Sequence, residues 1–392
     1  MRYILLLLAL MLFVPIVKSE SYENLQVSLL TVKPRSNEIY TIYGHSALRL
    51  QDDSTGIDIV FNWGTFDTSK PNFAYYFMRG ETDYYLSTVD YVLFCRAYAW
   101  GNSTVVEQIL NLSSEEKERL MLILEENLKT ENRNYRYNFL FDNCTTRIRD
   151  IIEDISLKKI EYPEQQKTTT FRELIYSCTS SYPWMSFGIN LIIGSGADSI
   201  VNTRQEMFLP EHLMDVFRNS VVGNYGESRE NLVLSELTVM ESTSVETPKN
   251  YFWTSPLFVG VAVFLLYLIL ILLYNKHWKL LASCFALYFC AATIGGIIIF
   301  FLVFFSAHPC VSPNWNLVWL NPLHIVGVVG FFFKKTHSLF YWYHRVNFVL
   351  LCLFLVAWFL IPQKLEIAII PYVITLATIS GYSLFRKKQI KK

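Results

Sequence analysis

Tyr137-Asn-Phe-Leu-Phe-Asp-Asn-Cys-Thr-Thr-Arg-Ile-Arg-Asp150 places one cysteine, Cys144, where a polar turn gives way to the apolar spacing Ile148, Ile151, Ile152. That spacing marks one face of a helix, and Asn143 belongs to the residue types that cap helix starts. A thiol becomes a strong nucleophile only as the thiolate, which the positive end of a helix and a nearby imidazole or guanidinium favour. Upstream, Tyr43-Gly-His-Ser-Ala-Leu-Arg-Leu50 carries an isolated histidine, His45, in a run that reads as a strand. A helix-start cysteine with a strand histidine before it suggests acyl-transfer chemistry through a thioester, on an α+β domain.

The rest of this half supports that fold class. Leu25–Val32, Ile39–Leu50 and Ile57–Trp63 read as strands, separated by Lys33-Pro-Arg-Ser-Asn37 and Asp52-Asp-Ser-Thr-Gly56. Further short strands are expected through Tyr84–Tyr98. Ser113 and Glu116 have capping-box spacing and open a helix whose inner face is Leu120, Ile123, Leu124 and Leu128. Lys129–Arg136 reads as a loop, and helices are expected around Thr170–Cys178 and Pro210–Ser220. No internal repeat is present.

Histidine needs a group to orient it if it is to act as base. Asp58 and Asn62 share a face of the next strand, and Asn62 is favoured as that group. Arg147, one turn beyond Cys144, is a candidate for adding positive potential where substrate binds. Plain alternatives remain open. Cys144 and His45 can be core residues, Asn143 can be only a cap, and Arg147 and Arg149 can be solvent-facing or paired with Asp150.

The chain of 392 residues has no net charge, 52% hydrophobic and 16% aromatic residues. The neutral balance argues against a nucleic-acid partner. Residues 1–19 read as a signal peptide cut near Ser19, with an uncleaved anchor as the alternative. Residues 20–226 read as an extracytoplasmic domain, 227–250 as a linker, 251–385 as a transmembrane bundle and 386–392 as a basic cytoplasmic tail. Five spans are expected: Tyr251–Tyr274, Leu280–Ser306, Leu317–Phe333, Leu339–Ile361 and Glu366–Phe385, each of bilayer-crossing length. Lys276 and Lys279, Lys334 and Lys335, and the tail from Arg386 are the basic clusters. The positive-inside rule puts them in the cytoplasm and the preceding domain outside it.

The external loop and third span carry His308, Asn314, Asn316, Asn321 and His324. Polar residues at membrane depth need partners or line a cavity. His308, Asn314, Asn316 and Asn321 are therefore candidate substrate-binding residues, with a self-satisfied loop as the alternative. Seven cysteines divide between the halves. A Cys95–Cys178 bridge and three unpaired thiols are both open for the first half. No Cys/His cluster supports a metal site.

Several stretches resemble the Lnb-type lipoprotein N-acyltransferases of Bacteroides and relatives. They include Tyr43–Leu50, Phe61-Asn-Trp-Gly-Thr-Phe-Asp67, Tyr137–Cys144, Thr170-Phe-Arg-Glu-Leu174, Pro183-Trp184, Met207-Phe-Leu-Pro210 and, more loosely, His308–Pro322. The order of strand histidine, next-strand polar residue and Asn-Cys helix start also resembles permuted NlpC/P60 and lecithin–retinol-acyltransferase-like thiol enzymes. The resemblance implies a permuted papain-like (NlpC/P60-like) periplasmic domain on a five-helix bundle in the bacterial inner membrane. It implies a catalytic Cys144–His45 pair, and acyl transfer from a phospholipid to the α-amine of diacylated lipoproteins. No nucleotide, coenzyme A or metal cofactor is required, because an ester is already activated enough for a thiolate. The competing readings are a membrane-anchored Cys/His hydrolase (a peptidoglycan amidase or peptidase, or a lipid deacylase) and a non-enzymatic scaffold.

Overall fold

The computed structural model describes residues 22–35, 39–165, 167–224, 228–243, 250–332 and 337–390. The expected signal peptide, Lys334, Lys335 and the last two lysines lie outside them. β1 (Gln26–Val32), β2 (His45–Asp52), β3 (Ile57–Thr65), β4 (Asp83–Asp90), β5 (Val105–Leu110), β6 (Asn134–Arg136) and β7 (Val233–Met240) form one sheet. Their order is β7-β5-β1-β2-β3-β4-β6, and every neighbouring pair is antiparallel.

Alternation along the strands gives the sheet two faces. Leu48, Leu50, Phe61 and Trp63 point to the larger core, which is closed by α3 (Ser114–Leu128), α4 (Cys144–Ile155) and α7 (Pro210–Arg218). Ile148, Ile152 and Ile155 of α4 are buried there, as the periodicity requires. Ala47, Val60 and Val105 point to the other face, which is covered by α2 (Tyr91–Trp100) through Phe94. His45 and Asn62 project from this second face.

Several expectations change. Tyr84–Tyr98 is not all strand: β4 ends at Asp90, whose carboxylate caps α2 by accepting from the N–H groups of Val92 and Leu93. The strand expected over Ile39–Leu50 is a 3₁₀ turn, Ile39–Tyr43, followed by β2, so His45 is the first strand residue. The expected linker holds β7, the edge strand beside β5, so the sheet continues into residues read as a tether. Linker composition and an exposed edge strand look alike, because both are polar on the solvent side.

Four described helices are long and apolar enough to cross a membrane. α8 (Pro256–Leu273), α9 (Trp278–Phe305) and α11 (His337–Val356) contain three of them, and the fourth, Ile367–Arg386, joins the turn Ile367–Ile369 to α12 (Ile370–Ile390). The third expected span, Leu317–Phe333, is not a continuous helix. It begins as a 3₁₀ turn, Trp315–Val318, breaks at Asn321-Pro322 and resumes as α10 (His324–Gly330). Proline removes a donor and disfavours helix in the residue before it. The broken segment runs antiparallel along α9, from Leu320 against Gly295 to Phe331 against Trp278. Its free carbonyls find side chains: Asn321 donates to Val318 O at 3.2 Å, and His324 Nε2 to Trp319 O at 2.7 Å. Irregular backbone at this depth is tolerated only when buried in protein.

The domain sits on one end of the bundle. Ala307 N–H donates to Arg79 O, Gly194 N–H to Cys310 O, Trp184 Nε1 to Thr254 O and Gln363 Nε2 to Ile193 O. At the opposite end Arg386 donates to Asn275 O and lies over Trp278.

Candidate functional site

Two local structures bring the sulfur to the histidine. Asn143 caps α4: its Oδ1 accepts from the N–H groups of Thr145 and Thr146, while Nδ2 donates to Phe139 O and Phe208 O. Thr145 Oγ1 then bonds Ser46 Oγ at 3.3 Å, docking the helix start on β2. On the strand side, Gly44 adopts φ +78, where a Cβ would also lie 2.6 Å from Val32 O. Only glycine turns the chain there without strain, and the turn delivers His45 into β2.

His45, Asn62 and Cys144 line one cavity of about 470 Å³ at the end of the sheet, a size that suits a small ligand or part of a lipid. His45 Nε2 lies 3.2 Å from Asn62 Oδ1. An amide oxygen can only accept, so the proton sits on Nε2 and Nδ1 is left with the lone pair when the ring is neutral. Tyr98 stacks beside the imidazole, with ring centres 6.4 Å apart. The walls are mainly apolar, with Phe66, Leu93, Phe94 and Ala97 among them, and Lys33 and Arg35 at the rim.

The electrostatics favour an ion pair. Burial pushes the Cys144 thiol up, but the His45 charge, the hydrogen bond to the imidazole and the Ser46 N–H together bring it down to about 7. Burial lowers His45, and the Cys144 charge with hydrogen bonds to Cys144 and Asn62 more than offsets this, leaving it above its ordinary value. Around the pair the phenols stay neutral: burial holds Tyr98 up to about 12 and Tyr137 well above the usual tyrosine range. A thiol lowered and an imidazole raised in one cavity is what a thiolate nucleophile with an acid–base partner requires.

Asp58, the other candidate orienter, is engaged elsewhere. Arg49 binds it with both arms, at 2.7 and 2.9 Å, and also holds Glu107. Arg147 does not line the cavity. It forms a two-armed pair with Asp142 at 2.6 and 2.9 Å and lies 3.6 Å over the Tyr135 ring.

His308, Asn314, Asn316 and Asn321 do not line the cavity either; the first three hold the domain and the bundle together. His308 Nε2 bonds Phe77 O at 2.7 Å, Asn314 donates to Leu191 O and Ile192 O, and Asn316 to Asn190 O and Leu191 O. Asn321 serves Val318 O within the broken segment. All seven cysteines are free thiols, so the Cys95–Cys178 bridge is not formed. Among the described residues no three His, Cys, Asp or Glu side chains group as metal ligands. Sequence reasoning missed α2 as a cavity wall and the Ser46–Thr145 contact. Ser46, next to His45, and Thr145, next to Cys144, were the available signal.

A family profile described as the Lnb N-terminal periplasmic domain matches residues 17–176, and one described as the Lnb transmembrane domain matches residues 247–390. The first match holds His45, Asn62 and Cys144; α6 (Pro183–Ile192), α7 and β7 fall between the two. No curated protein and no solved structure shows significant similarity to the chain.

Proposed function

The chain belongs to the Lnb family, a periplasmic domain joined to a transmembrane domain, and from this we propose that it is a lipoprotein N-acyltransferase of the bacterial inner membrane. The observation that carries the reading is the Cys144–His45–Asn62 arrangement on one apolar cavity, in a domain seated on a membrane bundle. The position of His45 on a strand before the Cys144 helix fits a permuted papain-like arrangement of these groups.

The reaction is written in two halves. Cys144 thiolate attacks the ester carbonyl of a phospholipid; the new C–S bond forms, the C–O bond breaks, and the leaving glycerol oxygen takes a proton from the His45 imidazolium. In the second half the neutral α-amine of a diacylglyceryl-cysteine attacks the thioester carbonyl and gives a proton to His45. The C–S bond breaks and the thiolate–imidazolium pair is restored. Asn62 keeps the ring proton on Nε2 and fixes the imidazole plane. Since Asn143 occupies the N–H groups of Thr145 and Thr146, the Cys144 N–H is the first-turn donor left for the developing oxyanion.

The test uses the full chain in phospholipid vesicles with a diacylated lipopeptide, read by mass spectrometry. We expect an acyl group on Cys144 and then on the lipopeptide amine, with both lost in Cys144→Ala. Triacylation that survives Cys144→Ala sinks the mechanism. Fatty acid release with no acylated lipopeptide assigns the same groups to a hydrolase.

A further inference from the structure

Two short helices beside the cavity leave apolar faces uncovered. α1 (Phe73–Arg79) has the sequence Phe-Ala-Tyr-Tyr-Phe-Met-Arg and buries none of its residues; Tyr76, Phe77 and Met78 all stand exposed. On α2, Leu93, Ala97 and Trp100 fall at positions i, i+4 and i+7 and make one exposed stripe. Leu93 and Ala97 line the Cys144 cavity, and Trp100 at the end of the stripe is 95% exposed. In water such a surface is a liability; against a bilayer it is an anchor.

The α1 face meets the outer end of α9, whose length of about 42 Å exceeds a hydrocarbon core of about 30 Å. Tyr75 of α1 meets Phe301 of α9 at 6.3 Å between ring centres. Arg79 O accepts from Ala307 N–H just past that helix. From the cavity wall outward, Phe66, Phe73, Phe77 and His308 form a chain of ring contacts, each 5.9 Å between centres. Phe304 and Phe305, at the end of α9, are exposed like α1 itself. These contacts join the cavity wall at Phe66, through α1, to the outer end of α9.

We infer that α1 and the Trp100 end of α2 are sunk into the outer leaflet, and that one acyl chain of a leaflet phospholipid passes between them to reach Cys144. The inference rests on the thioester reading for what the chain meets, but not for the immersion itself. The apolar stripe guides the chain, while the ester is presented at the His45 end of the cavity.

The experiment uses the full protein in vesicles of phosphatidylethanolamine and phosphatidylglycerol doped with a phospholipid carrying a diazirine on one acyl chain. Crosslinked peptides covering 73–79 and 91–100 are expected, in addition to those of the spanning helices. Met78→Glu and Trp100→Glu lie outside the catalytic groups. Each should slow acylation of Cys144 by phospholipid at least about tenfold, the scale of pressing a carboxylate against hydrocarbon. Alkylation of Cys144 by water-soluble iodoacetamide should stay within about twofold, because its route does not cross lipid. Crosslinks confined to the spanning helices, unchanged acylation in both variants, or an equal fall in alkylation overturns the inference. If α1 and α2 crosslink yet wild-type Cys144 takes no acyl group, the failure belongs to the thioester reading and the immersion stands.

Discussion

At the scale of single residues, the site turns on a proton shared between Cys144 and His45. Lowering a thiol pKa enlarges the thiolate fraction at any pH below it. Alkylation of Cys144 should therefore rise with pH through a midpoint near 7. In His45→Ala the main lowering influences are gone, so the midpoint should move toward the ordinary thiol range near 9. Acyl transfer also needs the imidazolium proton, so it should fall again on the alkaline side as His45 loses it. Asn62→Ala removes one hydrogen bond of about 1 kcal/mol, so acyl transfer should drop roughly fivefold. A fall in kcat with KM unchanged, and a narrower pH optimum, would mark this as positioning. The sequence contained His45, Cys144 and Asn62 as a pattern. It did not contain the reason Asp58 is unavailable, because Arg49 is balanced by Glu107 from a strand remote in sequence. Arg147 lies outside the cavity for a similar reason: its partners Asp142 and Tyr135 precede the helix and meet it only after folding.

At the scale of elements, α4 shows how local chemistry fixes a nucleophile. The cap Asn143 satisfies two helix N–H groups, one nearby carbonyl and one distant one at once. Asn143→Ala should destabilise the domain by about 2 kcal/mol or more, above an ordinary cap, because buried carbonyls are orphaned too. Denaturant unfolding of the purified protein measures it; a loss below half that size would mean water replaces the amide. The elements that escaped sequence reading share a cause. α2 is rich in Tyr, Val and Phe, which favour strands, and only the Asp90 cap and the packing of Phe94 on the sheet overrule them. The third apolar segment has the length and hydropathy of a span, but Asn321-Pro322 breaks it. Close approach then requires Gly296, where a Cβ would stand 2.5 Å from the backbone of Asn321. Gly296→Leu should cost about 1–3 kcal/mol by overpacking, seen as a lowered melting temperature in detergent.

At the scale of the whole molecule, a buried arginine organises the domain side of the joint with the bundle. Arg172, 4% exposed, holds Asp198, Asn190 and the carbonyls of Ile193 and Gly194, while Asn190 also donates to Glu366 of the membrane half. Arg172→Met strands Asp198 and should cost about 3–5 kcal/mol. Lys364→Ala removes an exposed ion pair with Glu173 and should cost less than about 1 kcal/mol. Thermal unfolding of both variants checks the contrast; equal effects would contradict a hub at Arg172. The two-part organisation was legible from composition, but the joint was not. Its contacts are largely side chain to backbone, and neither carbonyl nor amide leaves a mark in a one-dimensional pattern.

The interrupted segment between α9 and α11 also constrains biogenesis. A stretch that cannot close its own hydrogen-bonded ladder gains little by entering lipid alone, since unsatisfied peptide groups are costly there. It must wait at the translocon until later-synthesised neighbours arrive to shelter it. Nascent chains ending before residue 337 should therefore leave their C-terminus on the periplasmic side in a reporter-fusion assay, and chains extended past residue 356 should bring the same point into the cytoplasm.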